Sequence, residues 1–325
     1  MFRIVLVVLV AVVGIRPAAA EAPAGPLAID VADDLSLHDA ARGKDLPYKV
    51  AFPAVDGRYP LIVFSHGFGG SKEAFSTVSR HWASHGYVVI HPTHADGMER
   101  RLAGRAAEGG PAGRPGMGGL VGRLNDPARI ADRVADIVLV LDSLATIAEA
   151  TPALEGRIDT GRIGVGGHSF GAYTEMLIGG VTVDLGGGQG RSFRDERVAC
   201  ILPISPQGTG QQGLTKRSWA GLTIPMMTIT GTRDRGVGGQ GVEWRKEPYA
   251  FSPPGDKYLV VIDGADHLSF GGGLRQRGSA ISDVVKIVST RFWDAYLEDS
   301  DSALADLRSG RRFEDSDAAC IFERK

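Results

Sequence analysis

Residues 46–54, LPYKVAFPA, alternate apolar and polar positions like a half-exposed strand. Residues 59–67, YPLIVFSHG, then form a short apolar run of the kind buried on both faces of a sheet. Ser71 opens a predicted helix through KEAFSTVSRHWASH that Gly86 ends, and YVVIHP supplies the next strand. Residues 95–125 are rich in Gly, Arg and Pro and form a loop too long for a plain connector. Asn125-Asp126-Pro127 marks a helix start, Asp126 as N-cap and Pro127 in the first turn. The helix continues through ARIADRVADIVLVLDSLATIAEA, with Ile130, Val134, Ile137, Val138 and Leu141 on one stripe. Four more apolar runs follow: RIGVGGHS, VACILPIS, IPMMTIT and KYLVVID. A last helix over about 279–298 aligns Ile281, Val284, Val285, Val288, Phe292 and Tyr296.

Buried strands alternating with amphipathic helices predict an α/β fold: a mostly parallel sheet with helices on both faces. No linker divides the chain, so residues 21–325 are expected to form one domain, with a C-terminal tail from about residue 300. Only about 20 residues separate VACILPIS from the next strand, which leaves room for a small cap or none.

The first 20 residues stand apart. Arg3, an apolar run from Ile4 to Ile15 and a small-residue site ending at Ala18-Ala19-Ala20 have the form of a cleaved signal peptide. The run is short of the roughly 20 residues that span a bilayer. The expectation is an exported protein, periplasmic or secreted, whose mature chain starts near Glu21 and keeps no stable membrane span. The rest of the 325-residue composition is ordinary apart from 45 glycines, and a net charge of −2 carries no electrostatic footprint for nucleic acid. The two cysteines, Cys200 and Cys320, allow either one disulfide or two thiols.

In such a sheet, ligands gather at the carboxyl ends of the strands. Gly167-His168-Ser169-Phe170-Gly171 matches G-x-S-x-G between a predicted strand and a predicted helix, the context in which this pattern exposes a nucleophile on a tight turn. Asp234 follows the strand in MMTITGTRD, and His267 follows the strand in YLVVIDGADH. The order Ser169, Asp234, His267 is the chain order of α/β-hydrolases, which assigns Ser169 as nucleophile, His267 as base and Asp234 as its orienting acid. Asp263 and Asp266 are alternatives for the acid. FSHGFGG at 64–70 ends an early strand, so the oxyanion-hole amides fall on Phe68 and Phe170.

These stretches, with DAARGKDLPYKVAFPA, HWASHGYVVIHPTHAD, RVADIVLVLDSL and GADHLSF, resemble the α/β-hydrolases that include the platelet-activating-factor acetylhydrolases and bacterial proteins labelled predicted dienelactone hydrolases. The resemblance covers about residues 33–298 and implies a serine hydrolase of carboxylic esters. It carries Ser169 and His267 onto motif positions and the oxyanion amides onto Phe68 and Phe170. Dienelactone hydrolases use a cysteine nucleophile, so Ser169 argues against that substrate. In the acetylhydrolases the acid follows an earlier strand, here ILPISPQG without a carboxylate, which leaves Asp234.

The expected reaction is ester cleavage through an acyl-enzyme on a small or lipid-like ester, with no metal and no organic cofactor. A lipase, polyester hydrolase or amidase could use the same groups, and a non-catalytic binding protein could retain the fold. His81, His85, His91 and His94 lack an acidic third ligand and the H-E-x-x-H pattern, and are read as structural.

Overall fold

In a computed structural model, residues 25–97, 117–272, 280–310 and 319–325 are described. The signal-peptide reading and most of the 95–125 loop therefore lie outside the described residues. The chain runs β1 (Ile29–Asp39), β2 (Lys44–Pro53), β3 (Tyr59–Ser65), α1 (Ser76–Ser84), β4 (Val88–Pro92), α2 (Met117–Leu124), α3 (Pro127–Asp142), α4 (Leu144–Ala150) and β5 (Ile158–His168). It continues through α5 (Phe170–Ile178), β6 (Val183–Leu185), β7 (Gly188–Arg191), β8 (Val198–Ile204), β9 (Met226–Gly231), α6 (Val242–Phe251), β10 (Lys257–Ile262), α7 (Ala280–Leu297), α8 (Asp301–Ser309) and β11 (Cys320–Arg324).

Nine strands form one sheet in the order β1-β2-β4-β3-β5-β8-β9-β10-β11. The six strands from β4 to β10 in that order are parallel, and β1, β2 and β11 run antiparallel to their neighbours. Helices cover both faces: the apolar residues of α3, α4 and α5 pack on one, those of α1, α7 and α8 on the other. This is the α/β-hydrolase fold. Between β8 and β9, residues 205–225 form turns with no helix or strand, so no cap domain rises there.

Several elements depart from the sequence expectation. β1 carries few buried side chains, as suits an edge strand that charge keeps from pairing further, and it gives no strong apolar period. β2 is buried along most of its length because β1 and β4 flank it. α1 starts at Ser76, five residues after Ser71, because Phe75 takes a left-handed φ of 61° and turns its ring onto Phe64. Asp126 does cap α3, accepting from the Ala128 amide at 3.0 Å with Pro127 in the first turn. The long helix breaks at Ser143 into α3 and α4. Beyond residue 300, α8 packs on the core and β11 extends the sheet edge. Strands β9 and β10 separate Cys200 from Cys320, roughly 14 Å at strand spacing, which exceeds disulfide reach.

The strand that leads to the serine depends on its own glycines. A Cβ at Gly164 would lie 2.7 Å from the indole of Trp293, and one at Gly166 would lie 3.5 Å from the same ring. Trp293 on α7 thus sits directly on bare β5 backbone, edge-on to Trp82 of α1 at 5.8 Å. Trp293→Ala is expected to destabilise the fold by about 3–5 kcal/mol, read from the shift in the urea unfolding midpoint.

Candidate active site

Ser169 occupies the corner between β5 and α5 with φ 55° and ψ −116°, a conformation L-residues seldom adopt. Its amide donates to Ile204 O at 2.9 Å, tying the corner to the end of β8. The flanking glycines are sterically required. A Cβ at Gly167 would lie 2.5 Å from the Gly171 carbonyl carbon, and one at Gly171 would lie 2.0 Å from Ser65 O. Only bare backbone lets α5 start this close to β3 while the serine hydroxyl stands clear.

From β10 the chain turns through Gly264 and brings His267 over the corner. The Ser169 hydroxyl donates to His267 Nε2 at 3.0 Å, and His267 Nδ1–H donates to Asp234 Oδ1 at 2.9 Å. This tautomer leaves Nε2 as the acceptor that a general base needs. Asp234, fully buried past β9, also accepts from the Thr230 hydroxyl at 3.0 Å. Burial alone would raise its pKa. The His267 hydrogen bond, the Arg245 charge and the Ser205 hydroxyl outweigh burial and hold the carboxyl below its ordinary range.

Two further side chains crowd the imidazole, and neither stands out in the sequence. Ser205, just past β8 with φ 54°, places its Oγ 2.8 Å from His267 Nδ1. Arg245, buried on α6, places Nη2 3.1 Å from the same nitrogen and Nε 3.3 Å from Asp234 Oδ1. Its remaining bonds reach Ser205 O at 2.9 Å, Pro206 O at 2.8 Å and Arg235 O at 3.2 Å. A buried arginine eleven residues past a loop aspartate is a weak sequence signal, because arginines are usually solvated. On the other side, His168 donates from Nε2 to His267 O at 2.9 Å. Burial pushes His168 down to about 3, so its ring is neutral.

The loop after β3 runs beside the serine: a Cβ at Gly67 would lie 3.4 Å from the Ser169 Cβ. Phe68 follows on this loop, and Phe170 is the first residue of α5, where unpaired helix amides cluster. Buried Arg133 supports both segments. It donates to His66 O at 2.8 Å, pairs with Asp96 at 3.0 Å, and lies 4.6 Å from the Phe170 ring centre. His66 donates from Nδ1 to Gly67 O at 2.7 Å and accepts the His94 amide at Nε2, 3.0 Å away. His94 donates from Nδ1 to Asp136 at 2.9 Å and accepts the Ser65 hydroxyl at 2.8 Å. Burial, reinforced by the Arg133 charge, pushes both rings well below the usual histidine range, which fixes these neutral tautomers.

The alternative acids point elsewhere. Asp266 accepts from the Ser269 hydroxyl at 2.7 Å and the Leu268 amide at 3.0 Å, and exposed Asp263 accepts from Thr232. Of the other histidines, His91 meets the Ser79 hydroxyl, and the His81 and His85 rings lie 4.5 Å apart, tilted by 47°. Among the described residues, no group of three or more His, Cys, Asp or Glu could hold a metal ion. The serine opens into a cleft of about 740 Å³, whose apolar walls include Phe68, Phe75, Leu120, Leu124, Val237 and Leu268. Leu268, next to the histidine, is 78% exposed.

Sheet order and elbow together define the class: this is an α/β-hydrolase fold, and the relatives it resembles are hydrolases. Residues 45–99 match the family model described as platelet-activating factor acetylhydrolase, isoform II. The chain is similar to platelet-activating factor acetylhydrolase of Cavia porcellus, 30% identical over 50% of this chain and 38% of that protein. The enzyme of the same name from Canis lupus familiaris is 30% identical over 66% of this chain and 48% of its own length. Cutinase est2 of Thermobifida alba is 25% identical over 68% of this chain and 56% of its own. The chain thus spans less than two thirds of each of these relatives.

The close approach at Gly171 yields a test of the corner. Gly171→Ala places a methyl 2.0 Å from a backbone oxygen that cannot retreat without moving β3. The expected outcome is a loss of more than about 3 kcal/mol, measured by chemical denaturation, or failure to accumulate as folded protein.

Proposed function

We propose that this protein is a serine hydrolase of carboxylic esters, with Ser169, His267 and Asp234 as its catalytic triad. The observation that carries the reading is the continuous hydrogen-bonded chain from Ser169 Oγ through His267 to Asp234, mounted on a strained elbow at the carboxyl edge of the sheet. His267 Nε2 takes the hydroxyl proton as Ser169 Oγ attacks the ester carbonyl carbon. The Phe68 and Phe170 amides hold the oxyanion that forms, and each such donor is worth about 3–4 kcal/mol. The imidazolium then returns its proton to the leaving alkoxide, and the tetrahedral centre collapses to an acyl-enzyme. Water, deprotonated by the same nitrogen, attacks that acyl group. The carboxylic acid leaves and Ser169 recovers its proton. No step requires a metal or an organic cofactor.

The apolar walls of the cleft suit a neutral ester with apolar substituents, small or lipid-like. No helix among the described residues is long and apolar enough to cross a membrane. The signal peptide expected over residues 1–20 is what supports a working place outside the cytoplasm, periplasmic or secreted.

Mature protein is expected to hydrolyse p-nitrophenyl acetate, butyrate or octanoate, and the preferred chain length to report the usable depth of the cleft. Ser169→Ala should reduce kcat by at least about a thousandfold in a protein that still folds. Asp234→Asn should cost roughly two to four orders of magnitude, mainly in kcat, because it favours the wrong imidazole tautomer. Equal turnover by wild type and Ser169→Ala would reject the assignment. Secreted or periplasmic protein should begin at Glu21 by N-terminal sequencing, and an intact Met1 there would rule out cleavage.

A further inference from the structure

Arg245 stands where a cation is not needed for the chemistry just described. Its guanidinium is buried, lies 3.3 Å from Asp234 Oδ1 and 3.1 Å from His267 Nδ1, and binds carbonyls of Ser205, Pro206 and Arg235. One side chain from α6 thus joins the loop after β8, the loop after β9 and the ring of His267. Arginine keeps its proton even when buried and cannot accept a hydrogen bond. It therefore acts on the imidazole in the sense opposite to Asp234. The carboxylate favours a proton on Nδ1. The guanidinium favours a lone pair there and opposes a second proton on the ring.

The other groups facing His267 do not supply this effect. His168, from the end of β5, is neutral and donates to the His267 carbonyl. Ser205 and Ser169 are hydroxyls. Asp266, on the loop of His267 itself, is occupied by Ser269 and the Leu268 amide. That leaves Asp234 and Arg245 as the charged pair that brackets the ring.

Resting on the triad reading above, we propose that Arg245 is a positioning residue with two separable effects. It clamps the loops after β8 and β9 around His267, and its fixed charge extends the working range of the enzyme toward lower pH. The sign follows from the charge. A cation beside Nδ1 disfavours the imidazolium of the resting enzyme, so the base remains competent at a lower pH than it would without that cation. The clamp works through geometry alone and applies at every pH.

The test compares wild type, Arg245→Lys and Arg245→Gln by the pH dependence of kcat/KM for p-nitrophenyl acetate from about pH 5 to 9, with fluorophosphonate labelling of Ser169 followed in parallel. Arg245→Gln removes the charge, and its acid limb should move up by about one pH unit in both readouts. Arg245→Lys retains a cation with fewer hydrogen bonds. It should lower kcat/KM by about tenfold or more while keeping its acid limb within about 0.3 unit of wild type. If both variants lose activity equally at every pH with unmoved limbs, Arg245 is only structural and the proposal falls. If Arg245→Gln does not give a cooperative melt, Arg245→Lys decides: a limb displaced by more than about half a unit overturns the charge role. A folded wild type that neither turns over the ester nor labels overturns the triad reading, and this role with it. That outcome is distinct from an active wild type whose variants keep its limb.

Discussion

The contact on which the rest of this structure depends is the near-collision of α5 with β3. At Gly171 the helix backbone passes so close to the Ser65 and His66 carbonyls that a single methyl would overlap them. This proximity holds Ser169 at a positive φ, a strain of about 1–3 kcal/mol that the surrounding packing must offset. It also brings the first turn of α5 beside the 65–68 loop, so that one crowded junction carries the proposed nucleophile and both segments proposed to hold the oxyanion. The same economy of side chains appears beneath it. Gly164 and Gly166 let Trp293 sit on the strand itself, so β5 is anchored from the opposite face.

Strain of this kind persists only where the backbone cannot relax, and here the restraint is largely polar. Arg133, Asp96, His66, His94, Asp136 and Ser65 form a buried array in which each histidine has one donor and one acceptor role, both satisfied. A buried ion pair adds little net stability over an apolar substitute, but breaking one costs several kcal/mol because the orphaned charge remains buried. The array therefore acts on shape more than on total stability. It fixes the His66 and Gly67 carbonyls, and through them the loop that runs beside Ser169. Of the four histidines singled out in the sequence, His94 has both ring nitrogens paired, with Ser65 and Asp136, and His91 meets Ser79 through one.

Much of this was legible from the chain. Seven of the strands in the main sheet announce themselves as short apolar runs or alternations, because a strand covered on both faces or flanked by others has little use for polar side chains. The G-x-S-x-G corner and the positions of Asp234 and His267 follow from where those runs stop. β1 escaped notice because an edge strand is selected for charge as much as for burial. β11 is short and follows a polar stretch that reads as a tail. The start of α1 was misplaced because Ser71 is a good capping residue in isolation, whereas tertiary packing of Phe75 delays the helix to Ser76. Arg245 and Ser205 could not be found from periodicity at all. Nothing in WRKEPYA or PISPQG marks a side chain destined for His267 from another part of the chain, since such proximity is a product of topology rather than of local pattern.

That topology also places two strand ends within reach of the imidazole proposed as the base. β8 and β9 are neighbours, and the residues just past each of them reach the same imidazole nitrogen: Ser205 Oγ at 2.8 Å from one side, Asp234 Oδ1 at 2.9 Å from the other. Two strand ends thus compete for a single N–H, and residue chemistry decides between them. A hydroxyl is a poor partner for an imidazolium, whereas a buried carboxylate with Thr230 on its second oxygen is a strong one. Ser205 is left to hydrogen-bond within the pair, while its backbone carbonyl anchors Arg245. The sheet fixes where an acid could stand. The side chain at each site, and the cation placed between them, fix how strongly the imidazole is held.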